Sequence, residues 1–325
     1  MSDAPDPQPP FEAARFRPAP LEGRGHLVDT DRFAALVEPG DTLAAFLDGL
    51  PDFLGVRNLR ELAGAIAGAP RTLWGMGGHV VKVGLGPVLI DLARRGHAHG
   101  FVMNGSAAIH DSEVALQGST SEDVGGGLFE GTYGTADETG VLFGAAAARA
   151  RTDGIGLGTA IGRELLDRNP PNAELSILCH AAEAGIPVTV HVAIGTDTVH
   201  MHPACNGADV GAATHADFLR LAGLVEGLDG GVYVNVGSAV ILPEVFLKAV
   251  AMVHNAWANE GKAGERLAIT TGNLDMLRHY RPRVNVLQRP AAKGYDIAGQ
   301  HEYIVPLLRA AILHAATSQS AGGSA

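Results

Sequence analysis

The stretch HVAIGTDTVHMHP, residues 191–203, puts His191, His200, His202 and the carboxylate Asp197 within about a dozen positions of a β-branched run. Imidazole and carboxylate at this density suit two chemistries. One is metal binding, since His200-x-His202-x-x-Cys205 has a spacing that zinc accepts. The other is an organic-ligand pocket at a strand end, where alternate residues share a face. A solvated loop would carry the same composition. Neither HExxH nor paired CxxC occurs, so the pocket is the preferred expectation. Asp197 would then hold an amine by charge-assisted hydrogen bonds, or cap a turn.

Two further segments could contribute. NGSAAIHDSE (104–113) presents Asn104, Ser106, His110, Asp111 and Glu113 among small residues. Small side chains let a flat or phosphate-bearing ligand approach the backbone, and a helix start offers free N–H groups to anions. A plain helix N-terminus capped by Ser106 accounts for Ser106 and Asp111 but gives Asn104 and His110 no role. GMGGHVVKVGLG (75–86) is glycine-rich but is neither GxGxxG nor a Walker loop, and Lys82 in it is a phosphate contact or a surface charge. Arg278, Arg281, Arg283 and Arg289 would clamp an anion or close an interface or lid, the second being preferred. No nucleophile elbow is present.

These segments need a scaffold, and the apolar runs supply one. TLWGM (72–76), GFVMNG (100–105), IPVTVHVAI (186–194), VYVNV (232–236) and RLAI (266–269) read as strands, the last ending in a TTGNLD turn (270–275). Helical patterns cover about 85–95, 174–185, about 241–256 and 303–317. Continuous apolar strands are buried on both faces, which predicts an α/β fold: a doubly wound, mostly parallel sheet flanked by helices. Ligands of such sheets lie beyond the carboxyl ends of the strands, where the polar segments fall. Residues 1–24 are expected to form an irregular arm, 25–315 a single α/β domain and 316–325 a disordered tail.

A net charge of −11 without a basic run argues against a nucleic-acid partner. No uninterrupted apolar run of about 18 residues predicts a membrane span. The acidic, proline-rich start is unlike a secretory signal, and two cysteines without CxxC spacing fit a reducing cytoplasm.

Taken in order, the strand-end sequences resemble deoxyhypusine synthase and its homospermidine synthase relatives over about 70–315. The matching pieces are GGHVVKVG (77–84), MNGSAAIHD (103–111), IPVTVHVAIGTD (186–197), TTGNLD (270–275) and VPLL (305–308). The resemblance implies an NAD-binding sheet, a homotetramer, and transfer of an aminoalkyl group from a polyamine by transient oxidation. It implies that His79, Lys82, Asn104, Gly105 and Ser106 line the NAD site, with Gly237, Ser238 and Asp275 completing the pocket. Asp197 would anchor a substrate nitrogen.

The chain departs from the family at its chemistry. The Trp-Gly-Lys sequence of the catalytic lysine is absent, leaving Lys293 in AAKGYD as the nearest candidate. GSAVILPE (237–244) carries Pro243 and Glu244 where a histidine pair is expected, and Ile109-His110 replaces an acidic pair. The expected function is an NAD-dependent transferase of this type, oxidising an amine or hydroxyl substrate. His110, His200 and His202 are its candidate bases, because imidazole titrates near neutrality. The alternatives are a metal-dependent hydrolase or isomerase built on His191, Asp197, His200 and His202, and a non-catalytic NAD-binding homologue.

Overall fold

The structure, a computed structural model, describes residues 10–25 and 27–322, the side chains of 320–322 excepted. The described residues of 10–42 hold three single 3-10 turns and bury no side chain. Helices α1 (Leu43–Gly49) and α2 (Leu54–Gly68) then lead into β1 (Thr72–Met76). After β1 come α3 (Gly78–Lys82), α4 (Gly86–Arg94) and β2 (Gly100–Asn104). Four helices follow: α5 (Gly105–Gln117), α6 (Val124–Glu130), α7 (Asp137–Asp153) and α8 (Leu157–Asp167). The chain continues through α9 (Ile177–Ala184), β3 (Val188–His191), α10 (Gly207–Glu226), β4 (Val232–Val236) and α11 (Ile241–Asn259). It closes with β5 (Thr270–Asp275), a π-helical turn over Pro282–Gln288, β6 (Lys293–Ala298) and α12 (His301–Gly322).

The strands pair in the order β3-β2-β1-β4-β5-β6, every pair parallel. The order reverses between β1 and β4, which makes their carboxyl ends the topological switch point. The strands alternate their apolar side chains between two cores. Trp74, Phe101, Met103, Val232 and Val234 join one cluster with residues of α2, α5 and α12. Leu73, Val102 and Tyr233 join the other, with Leu221 of α10 and Phe246 of α11. That two-residue period feeding both faces is why the strands read as unbroken apolar runs.

Local signals set the helix ends that matter. Asn104, the last residue of β2, accepts from Ala107 N at 2.9 Å and starts α5 without a loop. Gly118 ends it in the left-handed region at φ 75°. Three expectations need correction. TTGNLD is strand β5 itself and not a turn after it. A sixth strand, β6, lies beyond it, where no strand was expected. Helix α12 runs to Gly322, so residues 316–322 of the expected tail are helical. No helix among the described residues is long and apolar enough to cross a membrane.

Candidate functional site

Beyond the carboxyl ends of β2 and β3 opens a cleft of about 470 Å³, with Lys82, Ser106, His110, Glu113, Thr120 and Asp197 in its wall. Asp197 precedes a 3-10 turn over Thr198–Met201 and is buried. Its Oδ2 has no hydrogen-bond partner among the described residues. Burial raises the pKa of its carboxyl, and the nearby His200 opposes this more weakly. The acid packs against the start of α5. A Cβ built on Gly105 would lie 2.1 Å from Asp197 Oδ2, so only glycine leaves the carboxylate in place.

His110, one turn into α5, is fixed from two sides. Its Nδ1 is 2.7 Å from Thr120 Oγ1, and Thr120 in turn donates a short hydrogen bond to Glu113. On the other side, a Cβ on Gly78 would come 3.0 Å from His110 Cδ2, so the ring rests directly on the α3 backbone. Burial pushes the Glu113 carboxyl up, but hydrogen bonds from His110 and Thr120 outweigh it and hold the pKa below the usual value. Asp111, the next residue, has a different task. It accepts from Ser176 Oγ at 2.6 Å and from the Ile177 and Leu178 amides at 2.9 Å, tying α5 to the start of α9.

The remaining expected cofactor residues gather at the other half of the rim, outside this cleft. His79 and His301 face each other with ring centroids 5.3 Å apart. His301 Nε2 lies 3.3 Å from Leu274 O, whereas His301 Nδ1 and His79 Nε2 are buried without partners among the described residues. Gly237 abuts the His301 ring. Ser238 Oγ accepts from Leu242 N at 3.3 Å and so holds the start of α11. Below it runs a polar row on three adjacent strands, of two buried amides and a half-buried carboxylate. Asn235 Nδ2 donates to Asn273 Oδ1 at 2.9 Å, and Asn273 Nδ2 donates to Asp296 Oδ1 at 3.1 Å. Asn235 Oδ1 is again unpartnered, and Asp275, buried at the end of β5, completes this half.

Several sequence candidates lie elsewhere. Lys293 is the first residue of β6, at the amino end of the sheet, opposite the rim. It is exposed and pairs with Glu61 at 2.9 Å, which removes it from the catalytic candidates. Lys82 is the lysine that lines the cleft. The four proposed metal ligands are not assembled. His191 turns its Nε2 to Thr189 Oγ1 at 3.0 Å, and burial pushes its pKa down to about 3, leaving it neutral. His200 lines a separate apolar hollow with Val192, Val199 and Cys205, its Nδ1 accepting from Gly195 N at 3.3 Å. His202 pairs with Asp137 at 3.1 Å. No group of three His, Cys, Asp or Glu among the described residues is placed to hold a metal ion. Arg281 and Asn285 both donate to Glu244 of α11, and Arg278 pairs with Asp296, so these groups brace the π-helical turn and β6.

Sequence reasoning missed Thr120, Asn235 and His301. Thr120 follows α5 in an unremarkable GST, and the other two declare themselves only through partners on neighbouring strands.

No protein-family model and no curated protein matches the chain. Solved structures do. An inferred deoxyhypusine synthase from Entamoeba histolytica matches 84% of this chain and 93% of its own, with 10% identity and a TM-score of 0.50. A conserved, inferred LOR/SDH protein from Methanococcus maripaludis S2 matches 92% of this chain and 75% of its own, with 14% identity and a TM-score of 0.47. AgrE, in its complex with ornithine and NAD+, matches 82% of this chain at 13% identity and a TM-score of 0.47, and the chain spans only 34% of AgrE. The resemblance carried by the strand-end sequences thus extends to the architecture: the chain has a divergent, deoxyhypusine synthase-like fold.

Proposed function

We propose that the chain is an NAD-dependent enzyme of the deoxyhypusine synthase type, acting in the cytoplasm on a small amine or hydroxyl substrate bound beside Asp197. A polyamine is the proposed substrate class and a homotetramer the proposed assembly, both by family likeness. The observation that carries the reading is Asp197: a buried carboxylate with an unpartnered oxygen in the wall of a cleft at the carboxyl rim. An acid kept dry and unpaired gains most from a cationic or hydroxyl-bearing ligand.

The rim also suits a dinucleotide. His79 Nε2, His301 Nδ1 and Asn235 Oδ1 are buried polar atoms without partners around the β1/β4 switch point, where such cofactors bind in doubly wound sheets. His79, Gly237, Ser238 and Asp275 would hold one part of NAD, and Lys82, Gly105 and Ser106 the part nearer the cleft. Asn104 would serve indirectly, since its side chain is committed to the start of α5. Bound NAD would supply the acceptor for the substrate's hydride. Asp197 orients the substrate nitrogen, and His110 takes the proton released from the substrate heteroatom. Lys82 balances the acids of the cleft wall.

One observation favours a second reading. Lys293, the sequence's nearest candidate for the family's catalytic lysine, lies at the far end of the sheet from the cleft, as a non-catalytic NAD-binding homologue would have it. Calorimetry with NAD, followed by assay of amines and alcohols for reduced nicotinamide, separates the two. The enzyme reading expects saturable NAD binding, turnover, and a roughly 10- to 100-fold weaker substrate interaction in Asp197→Asn, the worth of one charged hydrogen bond. Binding without turnover selects the homologue. Absence of NAD binding rejects both.

A further inference from the structure

We propose that His110 is the proton acceptor of the cleft, held as its Nδ1–H tautomer by two positioning residues, Thr120 and Glu113. Its catalytic use rests on the function proposed above. The tautomer itself does not.

The assignment follows from counting hydrogens. An ionised carboxylate only accepts, so Glu113 must receive the single hydroxyl hydrogen of Thr120. With that hydrogen spent, Thr120 Oγ1 can only accept from the imidazole nitrogen 2.7 Å away. Nδ1 therefore carries a hydrogen, and in the neutral ring Nε2 holds the lone pair. No hydrogen bond within the described residues engages Nε2. A ring flip would forfeit the Thr120 bond and turn Nδ1 toward the Gly78 backbone, against which Cδ2 now packs. Thr139 Oγ1, at 3.5 Å from Glu113 Oε1, holds the far side of the carboxylate from α7.

The surrounding charges agree with this division of labour. Lys82 from α3, Glu122 from the segment before α6 and Asp197 from the turn after β3 line the same cleft. Asp137 of α7 is paired with His202. Asp111, adjacent on α5, is committed to the start of α9. Glu113 is the acid within ion-pair distance of the ring, its Oε2 lying 3.7 Å from His110 Nδ1. In the proton-transfer step an Nε2–H bond forms and the substrate's O–H or N–H bond breaks. The electron pair stays on the substrate heteroatom. The new imidazolium then faces Glu113 through Thr120, a carboxylate placed where the charge develops. Nothing in the family resemblance supplies this trio, because His110 occupies a position where an acid was expected.

Long-range proton–nitrogen spectra of the histidine rings test it on the full chain at neutral pH, with neither NAD nor substrate added. The parent and Thr120→Ser should show His110 almost wholly as the Nδ1–H form. Thr120→Val and Glu113→Gln should each give a mixture of tautomers. A parent ring that is mixed or Nε2–H, or a Thr120→Val ring unchanged from the parent, overturns the proposal. Circular dichroism of each variant, with Thr120→Ser as the conservative rescue, separates lost orientation from lost folding. Where turnover is found, Thr120→Val should lower kcat about tenfold or more with KM unchanged. Failure to find turnover would count against the proposed function and leave the tautomer result standing.

Discussion

The two halves of the sheet bury polar groups of different kinds. Around β2 and β3 they include three carboxylates, Asp111, Asp197 and Asp217, beside the neutral His191 and Thr189. Around β4 and β5 they are chiefly neutral: Asn235, Asn273, Asn285 and His301, with Asp275 the acidic exception. Buried amides need no counter-charge: Asn235 donates to Asn273, while Asn235 Oδ1 has no partner among the described residues. Buried acids need donors from helix starts or an outside ligand, and that half opens into a cleft. One side of the molecule is thus built to respond to charge and pH, and the other to present neutral hydrogen-bonding groups.

The sharpest way to break the contrast is Asp111→Ala. It strips the partner from Ser176 Oγ and from two amides, and should cost about 3 kcal/mol or more in urea denaturation. Asn273→Ala, its counterpart in the neutral half, should cost about 1–2 kcal/mol, because Asn235 keeps its bond to Ser238 O.

The pH response should divide in the same way. Burial pushes the Asp217 carboxyl up to about 7, despite hydrogen bonds from the Gly158 and Val190 amides. An unfolded aspartate titrates near 4, so between about pH 4 and 7 the folded chain keeps a proton that the unfolded chain has lost. This contribution to stability is full below about pH 4 and is lost as pH rises through about 7, on the order of 4 kcal/mol in all. Burial raises Asp111 and Asp197 in the same direction. Asp217→Asn should flatten the curve of unfolding free energy against pH, and Asn273→Asp should steepen it. The smallest effect is expected at Lys293→Ala, which should leave both NAD affinity and melting temperature unchanged. A loss of turnover there would return this lysine to the mechanism.

How much of this was legible in the sequence depended on whether a residue declares itself alone. TLWGM, GFVMN and VYVNV are strands by composition, and their polar followers marked the rim correctly. TTGNLD reads as a turn because its polar side chains look solvated, yet Asn273 is dry and bonded to residues of β4 and β6. KGYDIA opens on an exposed lysine and buries only Tyr295 and Ile297, so an edge strand passed unnoticed. That omission misplaced Lys293, since the end of the sheet a residue occupies cannot be judged from a strand not seen. His110 is a candidate by type and position. Thr120, ten residues on, is not, because its importance lies in donating to one side chain while accepting from another.

The free flank of β3 has a consequence for association. The Val190 amide donates to Asp217, the Val192 amide donates to Thr214 Oγ1, and that hydroxyl donates back to Val190 O. Helix α10 thereby occupies the main-chain groups that an incoming strand would seek. Copies of this chain therefore cannot zip together into a continuous ribbon along that border.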